Sequence, residues 1–492
     1  MRSLHPLLCL LLSLGACVPS HRPQLQPSRR SPRAPSPLLA ASEPTKLPAL
    51  PCGDELDKRI FSLALPAVAN FMILPLTGAT DLFWVGRMGD ALALAGQAAA
   101  NQAFSSAAWI TSVIPTITTP RVAKAYAAGD QKELQARVGE AIFTSLVVSL
   151  LVTVALCVFQ RAALLGVGAA SSLAYSTAYL RYRLPGLVPD GVSVVGFAVF
   201  RGCLDTVTPL QVAVVSNLLN AALDPLLIFT AGLGVAGAAL ATTASQVLSV
   251  CVYIWLLLRK KLVTWAAMLR PPSLEILKSL AAAECNAQIR ALALNIAFIA
   301  ITRKTQTLDA TGTAAAAHAV ALQFWQLGGV ILFALSTVSP YALPSSSICP
   351  AHCGLGYQVA SIVVPSELAR KDGGPAVASS AANRLLCWGS LLGIGLGALQ
   401  LAALPMLHVF TPLAEVRRMA YVPSVLGAVL QFINGIVFVG EGIMVGTSSF
   451  GMLAAGQLIA TAALLASLRL APATLIGVWG SFYVFNGVRL AN

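Results

Sequence analysis

Apolar segments of about 20 residues recur along almost the whole chain, separated by short stretches of charged residues, glycine and proline. This is the length that an α-helix needs to cross a hydrocarbon core of about 30 Å. Strands of a membrane barrel would be shorter and would alternate strictly between apolar and polar residues. The pattern predicts twelve helical spans, at residues 59–86, 91–118, 134–160, 173–200, 208–230, 235–258, 274–302, 312–338, 376–404, 414–440, 446–468 and 471–488.

The composition supports an integral membrane protein. Of the 492 residues 57% are hydrophobic and 10% are charged, whereas soluble domains carry about 25% charged residues. The net charge is +13, and the Lys and Arg residues that produce it lie mostly in short loops between the apolar segments. In such loops Lys and Arg set the orientation of membrane helices. We therefore expect a lipid bilayer and no nucleic acid as partner. Loops on the side of the two termini carry the larger share of Lys and Arg, which predicts both termini in the cytosol or stroma.

Residues 1–50 are interpreted as a leader. In residues 1–20, Arg2 precedes a short apolar core that ends in small residues, as in a secretory signal. Residues 21–41 are rich in Ser, Pro and Arg, and no acid occurs before Glu43, as in an organelle transit peptide. Together they resemble the two-part leaders of plastid proteins in algae with secondary plastids. The alternatives are a secretory signal ahead of a disordered tail and, at residues 14–17, a bacterial lipobox.

The spans divide into two halves at a charged, proline-containing loop. We predict an N-lobe at 51–258, a loop at 259–273 and a C-lobe at 274–492. The second span of each half contains an Ala-rich segment in which a Gly precedes a Trp by 13 residues. These segments are residues 96–109 and 312–325. A six-plus-six parallel repeat would place substrate near the midplane between the lobes. Chance similarity between Ala-rich helices is the alternative.

An acidic residue stands within the fifth span. An Asp at the centre of a membrane helix costs about 2.5–3.5 kcal/mol, so its retention indicates a cavity, a partner or a function. Asn220 and Asp224 are four residues apart and share one helix face. Pro225 removes a backbone donor and leaves a carbonyl for water or an ion. A carboxyl group away from water favours its neutral form, which makes Asp224 a candidate proton carrier.

The surrounding sequence resembles the core signature of the multidrug and toxic compound extrusion (MATE) family. The resemblance rests on RGCLDTVTPL at 201–210, Asn217, Asn220, Asp224-Pro225 and GVAGAALAT at 234–242. Supporting matches occur at 65–67, 81–86, 317–325 and 438–446. The similarity covers about residues 55–490 and is greatest to the DinF-like branch, which includes plant plastid members.

The resemblance implies an all-α membrane protein with twelve transmembrane helices in two pseudo-symmetric six-helix lobes. It also implies alternating access and export driven by a proton or sodium gradient. In the DinF-like branch a helix-one acid works with a polar set on helices five and six, which matches Asp81, Asn220, Asp224 and Thr242. Protonation of Asp81 or Asp224 would remove a charge and lower the affinity for a cationic or polar substrate.

Four further polar residues are candidates for lining a cavity. Glu284 is a candidate C-lobe ion ligand, with an interfacial position as the alternative. Asp190 lies within the fourth span, where pairing with Arg183 is the simpler interpretation. Glu441 stands where the family often has Asp, at a packing or gating position. His318 matches a family His, although a lone His on an Ala-rich face is more often a hydrogen-bonded core residue.

Two departures from the family weaken a C-lobe ion site. Residues 339–359 are rich in Pro, Ser and Gly and interrupt the eighth span as an insertion or external loop. Phe333 replaces an acid that related members often carry. Cys349, His352 and Cys353 offer three metal ligands without a fourth in view, so no metal or other cofactor is predicted besides the coupling ion, H⁺ or Na⁺. The coupling site is therefore placed in the N-lobe.

The sequence predicts a monomeric, cation-coupled antiporter for small organic molecules, cationic or phenolic, in a plastid envelope or another cellular membrane. The alternative from another class is a lipid-linked precursor flippase, which would need a cationic central groove. A membrane-embedded enzyme would need paired Asp or His motifs at a membrane surface, and the sequence shows none.

Overall fold

The computed structural model describes residues 51, 53–203, 205, 207–271, 285–335, 375–446 and 449–491, and this part of the chain contains helices and no β-strand. The α-helices are α1 (Glu55–Gly86), α2 (Ala91–Thr111), α3 (Val113–Ala127), α4 (Gln131–Val158), α5 (Gln160–Gly166), α6 (Leu173–Arg183), α7 (Leu187–Gly202), α8 (Val207–Pro225), α9 (Val235–Arg259), α10 (Trp265–Met268), α11 (Cys285–Gln306), α12 (Thr313–Leu335), α13 (Pro375–Ala402), α14 (Leu407–Phe410), α15 (Ala414–Gly446), α16 (Phe450–Leu470) and α17 (Leu475–Ala491).

All twelve predicted spans coincide with helices. The second span consists of α2 and α3, and the fourth consists of α6 and α7, joined by a 3-10 turn at Leu184–Gly186. The fifth span is α8 followed by a π-helical turn at Leu226–Thr230. Within the described residues, eight spans are long and apolar enough to cross a membrane. The other four correspond to α1, to α2 with α3, to α11 and to α17. The predicted all-α membrane fold class is therefore confirmed.

A Gly-Asp pair starts two of the helices in the first half of the chain. Gly89 and Gly129 have φ angles of +70° and +68°, which favour glycine. The following residues, Asp90 and Asp130, each accept hydrogen bonds from two backbone N–H groups in the first turn of α2 and α4. Such N-caps satisfy donors that the helix itself leaves free. These short sequences therefore turn the chain sharply between consecutive spans.

Except for α1, which packs most extensively on α12, the helices of residues 55–259 pack mainly on each other, as do those of residues 285–491. In the first set α2 packs on α6, α8 on α9, and α3 and α4 on α7; in the second set α13 and α12 pack on α15, and α16 packs on α11 and α17. The two sets meet mainly where α12 contacts α1 and α2 and where α11 contacts α2. The predicted lobe boundaries at 258 and 274 stay a prediction.

An ion pair fixes which helix ends lie together. Asp54, directly before α1, pairs with the buried Arg384 near the start of α13. Spans one and nine should begin on the same side of the membrane, and this contact agrees with that expectation. We call this side the terminal end of the helix bundle, because α17 also finishes there, and the other side the opposite end.

Helices α13 and α15 cross at a stripe of glycines. Gly389, Gly393 and Gly397 recur every four residues on α13, and a Cβ on any of them would lie 2.5–2.6 Å from a backbone oxygen of α15. In return, a Cβ on Gly435 of α15 would lie 2.1 Å from the carbonyl oxygen of Gly389. Small residues at this spacing allow membrane helices to approach closely.

We expect Gly435→Ala to destabilise the folded protein, because the added methyl group meets a backbone atom that cannot rotate away. Overpacking of this kind costs about 1–3 kcal/mol. The matched control is Gly440→Ala on the same helix, where a Cβ meets no atom within 4 Å. Thermal unfolding in detergent should show a lower transition temperature for Gly435→Ala alone. Equal transition temperatures for both variants would contradict the close helix crossing.

Candidate functional site

The four predicted coupling residues lie together in the interior of the first set of helices. Asp81 of α1, Asn220 and Asp224 of α8 and Thr242 of α9 have exposed fractions of 4%, 0%, 0% and 7%. The buried positions of α8 recur every four residues from Val212 through Ser216 and Asn220 to Asp224, whereas Val214, Val215 and Leu218 are exposed. In a membrane helix this arrangement directs polar groups into the protein and apolar groups towards lipid.

The hydroxyl of Thr242 connects α1, α8 and α9. It lies 2.9 Å from the carbonyl oxygen of Ala238 and 3.1 Å from Oδ2 of Asp81. It also accepts a hydrogen bond of 3.4 Å from Nδ2 of Asn220. A hydroxyl group has one proton to donate. When that proton points to Ala238, the contact with Asp81 can be a hydrogen bond only if Asp81 itself carries a proton. The direction of the Thr242 hydroxyl therefore depends on the protonation of Asp81.

Asp224 is a buried acid whose carboxyl group lies next to that of Asp81. Both of its carboxyl oxygens are inaccessible and unpaired, and so are Oδ1 of Asp81 and Oδ1 of Asn220. The carboxyl groups of Asp81 and Asp224 lie close enough to interact electrostatically. Two adjacent buried carboxylates cannot both be ionised without a large cost in free energy, unless a cation compensates. The site is therefore suited to holding a proton or a small cation.

The chain geometry after Asp224 brings α8 close to α9. Pro225 has no N–H to continue the helical hydrogen bonds, and the chain proceeds into the π-helical turn Leu226–Thr230. This turn packs against the beginning of α9, where a Cβ on Gly237 would lie 2.6 Å from the carbonyl carbon of Leu227. Glycine at this position thus permits the contact that holds the two polar helices side by side.

A second polar chain adjoins the site. Arg183 of α6 donates a hydrogen bond to Oε1 of Gln246, and Nε2 of Gln246 donates one of 2.8 Å to Oδ1 of Asp190. The guanidinium group also lies 3.9 Å from the ring centre of Phe104 and interacts electrostatically with Asp81. Gln246 therefore bridges Asp190 and Arg183, which also interact electrostatically, so the structure agrees with the expected pairing of these two residues. A buried Arg is stabilised by such partners.

Three residues of this neighbourhood were not predicted from the sequence, namely Tyr179, Arg183 as a neighbour of Asp81, and Gln246. The hydroxyl of Tyr179 is buried near Asn101 and interacts electrostatically with both acids of the site. All three are polar residues within apolar spans. That signal was present in the sequence, but a single polar residue does not reveal which other helix it faces.

Two candidates in the second set of helices have other surroundings. Glu441 accepts hydrogen bonds from Arg290 and Arg489 at the terminal end. His318 packs against the rings of Trp479 and Phe482, with centroid distances of 5.9 and 6.4 Å, and both of its ring nitrogens are buried without a hydrogen-bond partner. The expectation of a hydrogen-bonded His is therefore wrong, because aromatic side chains surround it.

Several predictions fall outside the described residues. They are the leader at 1–50, Glu284, the insertion at 339–359 and the cluster of Cys349, His352 and Cys353; the side chain of Phe333 is not described either.

Comparison with known proteins shows which family has this arrangement. Residues 66–226 match the family model MatE. Protein DETOXIFICATION 44, chloroplastic, from Arabidopsis thaliana is 27% identical over 473 residues, which cover 89% of this chain and 81% of that protein. DNA damage-inducible protein F of Escherichia coli is 26% identical over 311 residues, covering 61% of this chain and 64% of that protein.

Solved structures show the same fold. An inward-facing structure of a multidrug resistance MATE family transporter aligns with a TM-score of 0.71 at 19% identity, over 87% of this chain and 96% of that one. An outward-facing structure described in the same terms aligns with a TM-score of 0.65 at 18% identity, over 89% and 94%.

The chain is therefore a multi-pass integral membrane protein with the fold of the solved MATE transporters. The resemblance seen in the sequence is confirmed: residues 66–226 match the MatE model, and the fold is that of solved MATE transporters.

Proposed function

We propose that this protein is a secondary antiporter that exports small organic molecules by alternating access, coupled to proton entry. The observation that carries the proposal is the buried pair Asp81 and Asp224, whose carboxyl groups interact with each other and lack a basic hydrogen-bond partner. Relatives described as multidrug resistance transporters support export of organic molecules. An intramembrane acid with this geometry has the properties of a proton carrier.

The hydrogen bonds of Thr242 supply a mechanism for coupling. With Asp81 protonated, Asp81 donates to the Thr242 hydroxyl, which donates to Ala238. After Asp81 loses its proton, the hydroxyl turns from Ala238 to Asp81 and helices α1 and α9 gain a charged hydrogen bond. Such a local change biases one of two helix arrangements. The negative charge also attracts a cationic substrate, so proton and substrate compete for the site.

The proposed location is a plastid envelope. The leader-like composition of residues 1–50 and the chloroplastic relatives of Arabidopsis support this location. With both termini on the stromal side, export proceeds from the terminal end of the bundle to the opposite end. The buried site contains Asp81 and Asp224, and the partly buried Asp190 lies near Arg183 beside it, so the site lacks the cationic groove that the alternative flippase function requires.

Transport in reconstituted vesicles tests the function. The purified protein is placed in liposomes, and movement of a fluorescent organic cation is followed under an imposed proton gradient or an imposed sodium gradient of equal size. We expect transport in the direction opposite to proton flow and none above background with sodium alone. Absence of transport under both gradients would refute the antiporter. Transport with sodium alone would refute proton coupling.

We expect Thr242→Val to reduce proton-driven export by about tenfold, because it removes a hydrogen bond to a charged group that contributes ~1.5 kcal/mol or more. Valine keeps the shape of the side chain. The control is Thr461→Val, which removes a buried hydroxyl that donates to Ala293 outside the site. Initial export rates, normalised to folded protein, provide the comparison. An equal reduction in both variants would show that the Thr242 hydroxyl acts only in packing.

A further inference from the structure

A buried cation lies next to the acidic site, the name used here for Asp81 and Asp224 together. Arg183, the last residue of α6, interacts electrostatically with Asp81, and its guanidinium group lies over the ring of Phe104. A buried charge is costly unless an opposite charge or hydrogen bonds compensate it. The charge of the acidic site changes during the proposed transport cycle. Arg183 therefore requires a second partner whose charge stays constant.

Asp190 has the position and the charge of that partner. Gln246 of α9 accepts a hydrogen bond from Arg183 at Oε1 and donates one of 2.8 Å from Nε2 to Oδ1 of Asp190. An amide oxygen only accepts and an amide nitrogen only donates. This orientation of Gln246 therefore matches a cationic donor on one side and an anionic acceptor on the other. Asp190 and Arg183 also interact electrostatically.

The break in the fourth span positions this pair. Arg183 ends α6 and Asp190 lies in the first turn of α7, so the two residues flank the 3-10 turn Leu184–Gly186. A Cβ on Gly186 would lie 2.6 Å from Nη1 of Arg183 and 2.5 Å from Oε1 of Gln246. Glycine at this position therefore leaves the space in which the guanidinium and amide groups meet.

The other ionisable groups around Asp81 come from several helices. Asp224 of α8 and Tyr179 of α6 interact with it electrostatically. Helix α1 also packs on α2, which has no ionisable residue, and on α9, α12 and α14. The ionisable residues of α9 lie nearer the terminal end than Thr242, His318 of α12 packs against aromatic rings, and His408 of α14 is exposed.

The surroundings of Asp190 contain few other charges. Helix α7 packs mainly on α3, α4 and α9. The charged residues of α3 and α4 lie in the turns at the terminal end and are Arg121, Lys124, Lys132, Glu133, Arg137 and Glu140. Arg183 is therefore the charged group that links Asp190 to the acidic site.

We propose that the Arg183–Asp190 pair sets the pH at which the acidic site exchanges its proton. Arg183 attracts the ionised form of Asp81, and Asp190 reduces this attraction because it offsets the charge of Arg183. The two residues act through the acidic site and do not carry the transported proton themselves. This inference rests on the proposed proton coupling and identifies what regulates it.

The affinity of the purified full chain in detergent for a fluorescent organic cation, measured by fluorescence anisotropy at a series of pH values, tests the proposal. Because proton and cation compete in the proposed mechanism, the affinity should fall as the pH is lowered, with a midpoint set by the proton affinity of the acidic site. Arg183→Gln should move this midpoint to higher pH by about one pH unit, since a neighbouring charge changes the proton affinity of a carboxyl group by about tenfold or more. Asp190→Asn should move it to lower pH.

Both substitutions keep the hydrogen bonds to Gln246, because glutamine retains a donor and asparagine retains an acceptor. The control Asp190→Glu keeps the charge, and Ser149→Ala changes a neutral side chain that lies beside Gly191; neither should move the midpoint. A purely structural effect would weaken the affinity at every pH without moving the midpoint. Size-exclusion chromatography checks the fold, and if Arg183→Gln does not fold, the comparison of Asp190→Asn with Asp190→Glu decides.

The proposal is overturned unless the folded charge-removing variants shift the midpoint in the stated directions. An affinity that does not depend on pH in the unaltered protein would refute the proposed proton coupling as well. A pH-dependent affinity whose midpoint is the same in all variants would refute only the role of the Arg183–Asp190 pair.

Discussion

Vesicles containing Asp224→Asn or Asp81→Asn are expected to lose gradient-driven export of an organic cation. Asparagine has the size of a protonated aspartate but cannot release a proton, so each variant keeps its half of the site in the neutral form. The site then attracts a cation less strongly and no longer changes its charge during the cycle. When two ligands of a protein are coupled, each typically changes the affinity for the other by about 5- to 150-fold. We expect the export rate of each variant to fall by a factor in this range.

The matched control for this experiment is Asp205→Asn. Asp205 lies between α7 and α8, outside the membrane-spanning segments, and accepts hydrogen bonds from Lys260 and Thr208. Partial burial favours its neutral form, but these hydrogen bonds outweigh burial and hold the pKa of the Asp205 carboxyl group below its usual value. It is therefore ionised at neutral pH and is unsuited to carry protons. Comparable losses in all three variants would contradict the assignment of coupling to Asp81 and Asp224.

The second large effect is expected from Gly86→Ala, at the opposite end of the bundle. Gly86 ends α1, and a Cβ there would lie 1.8 Å from the carbonyl oxygen of Phe410 in α14. Nearby, Nε2 of Gln306 donates a hydrogen bond of 2.6 Å to the carbonyl oxygen of Ala95. These contacts join the two sets of helices, so they close the bundle at this end. Alternating access requires that they form and separate once in each cycle.

We expect Gly86→Ala to fold but to export about 5- to 150-fold more slowly, because overpacking by about 1–3 kcal/mol shifts a two-state equilibrium by that factor. The added methyl group opposes closure at the opposite end. Export rate per folded protein is the measurement. Gly166→Ala is the control, since a Cβ at that position meets no atom within 4 Å. Full activity in Gly86→Ala would show that this contact does not have to close during transport.

Much of the fold follows from local features of the sequence. The lengths of the apolar segments predicted all twelve helices, and the four-residue spacing predicted that Asn220 and Asp224 share a buried face. The breaks within the second and fourth spans were not predicted, because both halves of each span are apolar. The π-helical turn after Pro225 was not predicted either, since proline indicates an interruption without specifying its form.

Contacts between distant helices explain most of what the sequence did not reveal. Glu441 pairs with Arg290, 151 residues away, and with Arg489, 48 residues away. Glu441 therefore differs from Asp81 and Asp224, because two arginines neutralise its charge and neither Asp accepts a hydrogen bond from an arginine. All three are nevertheless acids within apolar helices. Spacing along one helix shows which residues share a face. It does not show which charge on another helix that face meets.

Proton release on substrate binding shows whether Asp81 and Asp224 exchange a proton for an organic cation. The detergent-purified protein is mixed with an organic cation in weakly buffered solution, and a pH indicator records protons released. In the proposed mechanism proton and cation compete for Asp81 and Asp224, so we predict release of about one proton per bound cation, and none from the double variant Asp81→Asn/Asp224→Asn. Binding without proton release in the unaltered protein, or the same release from the double variant, would contradict the account.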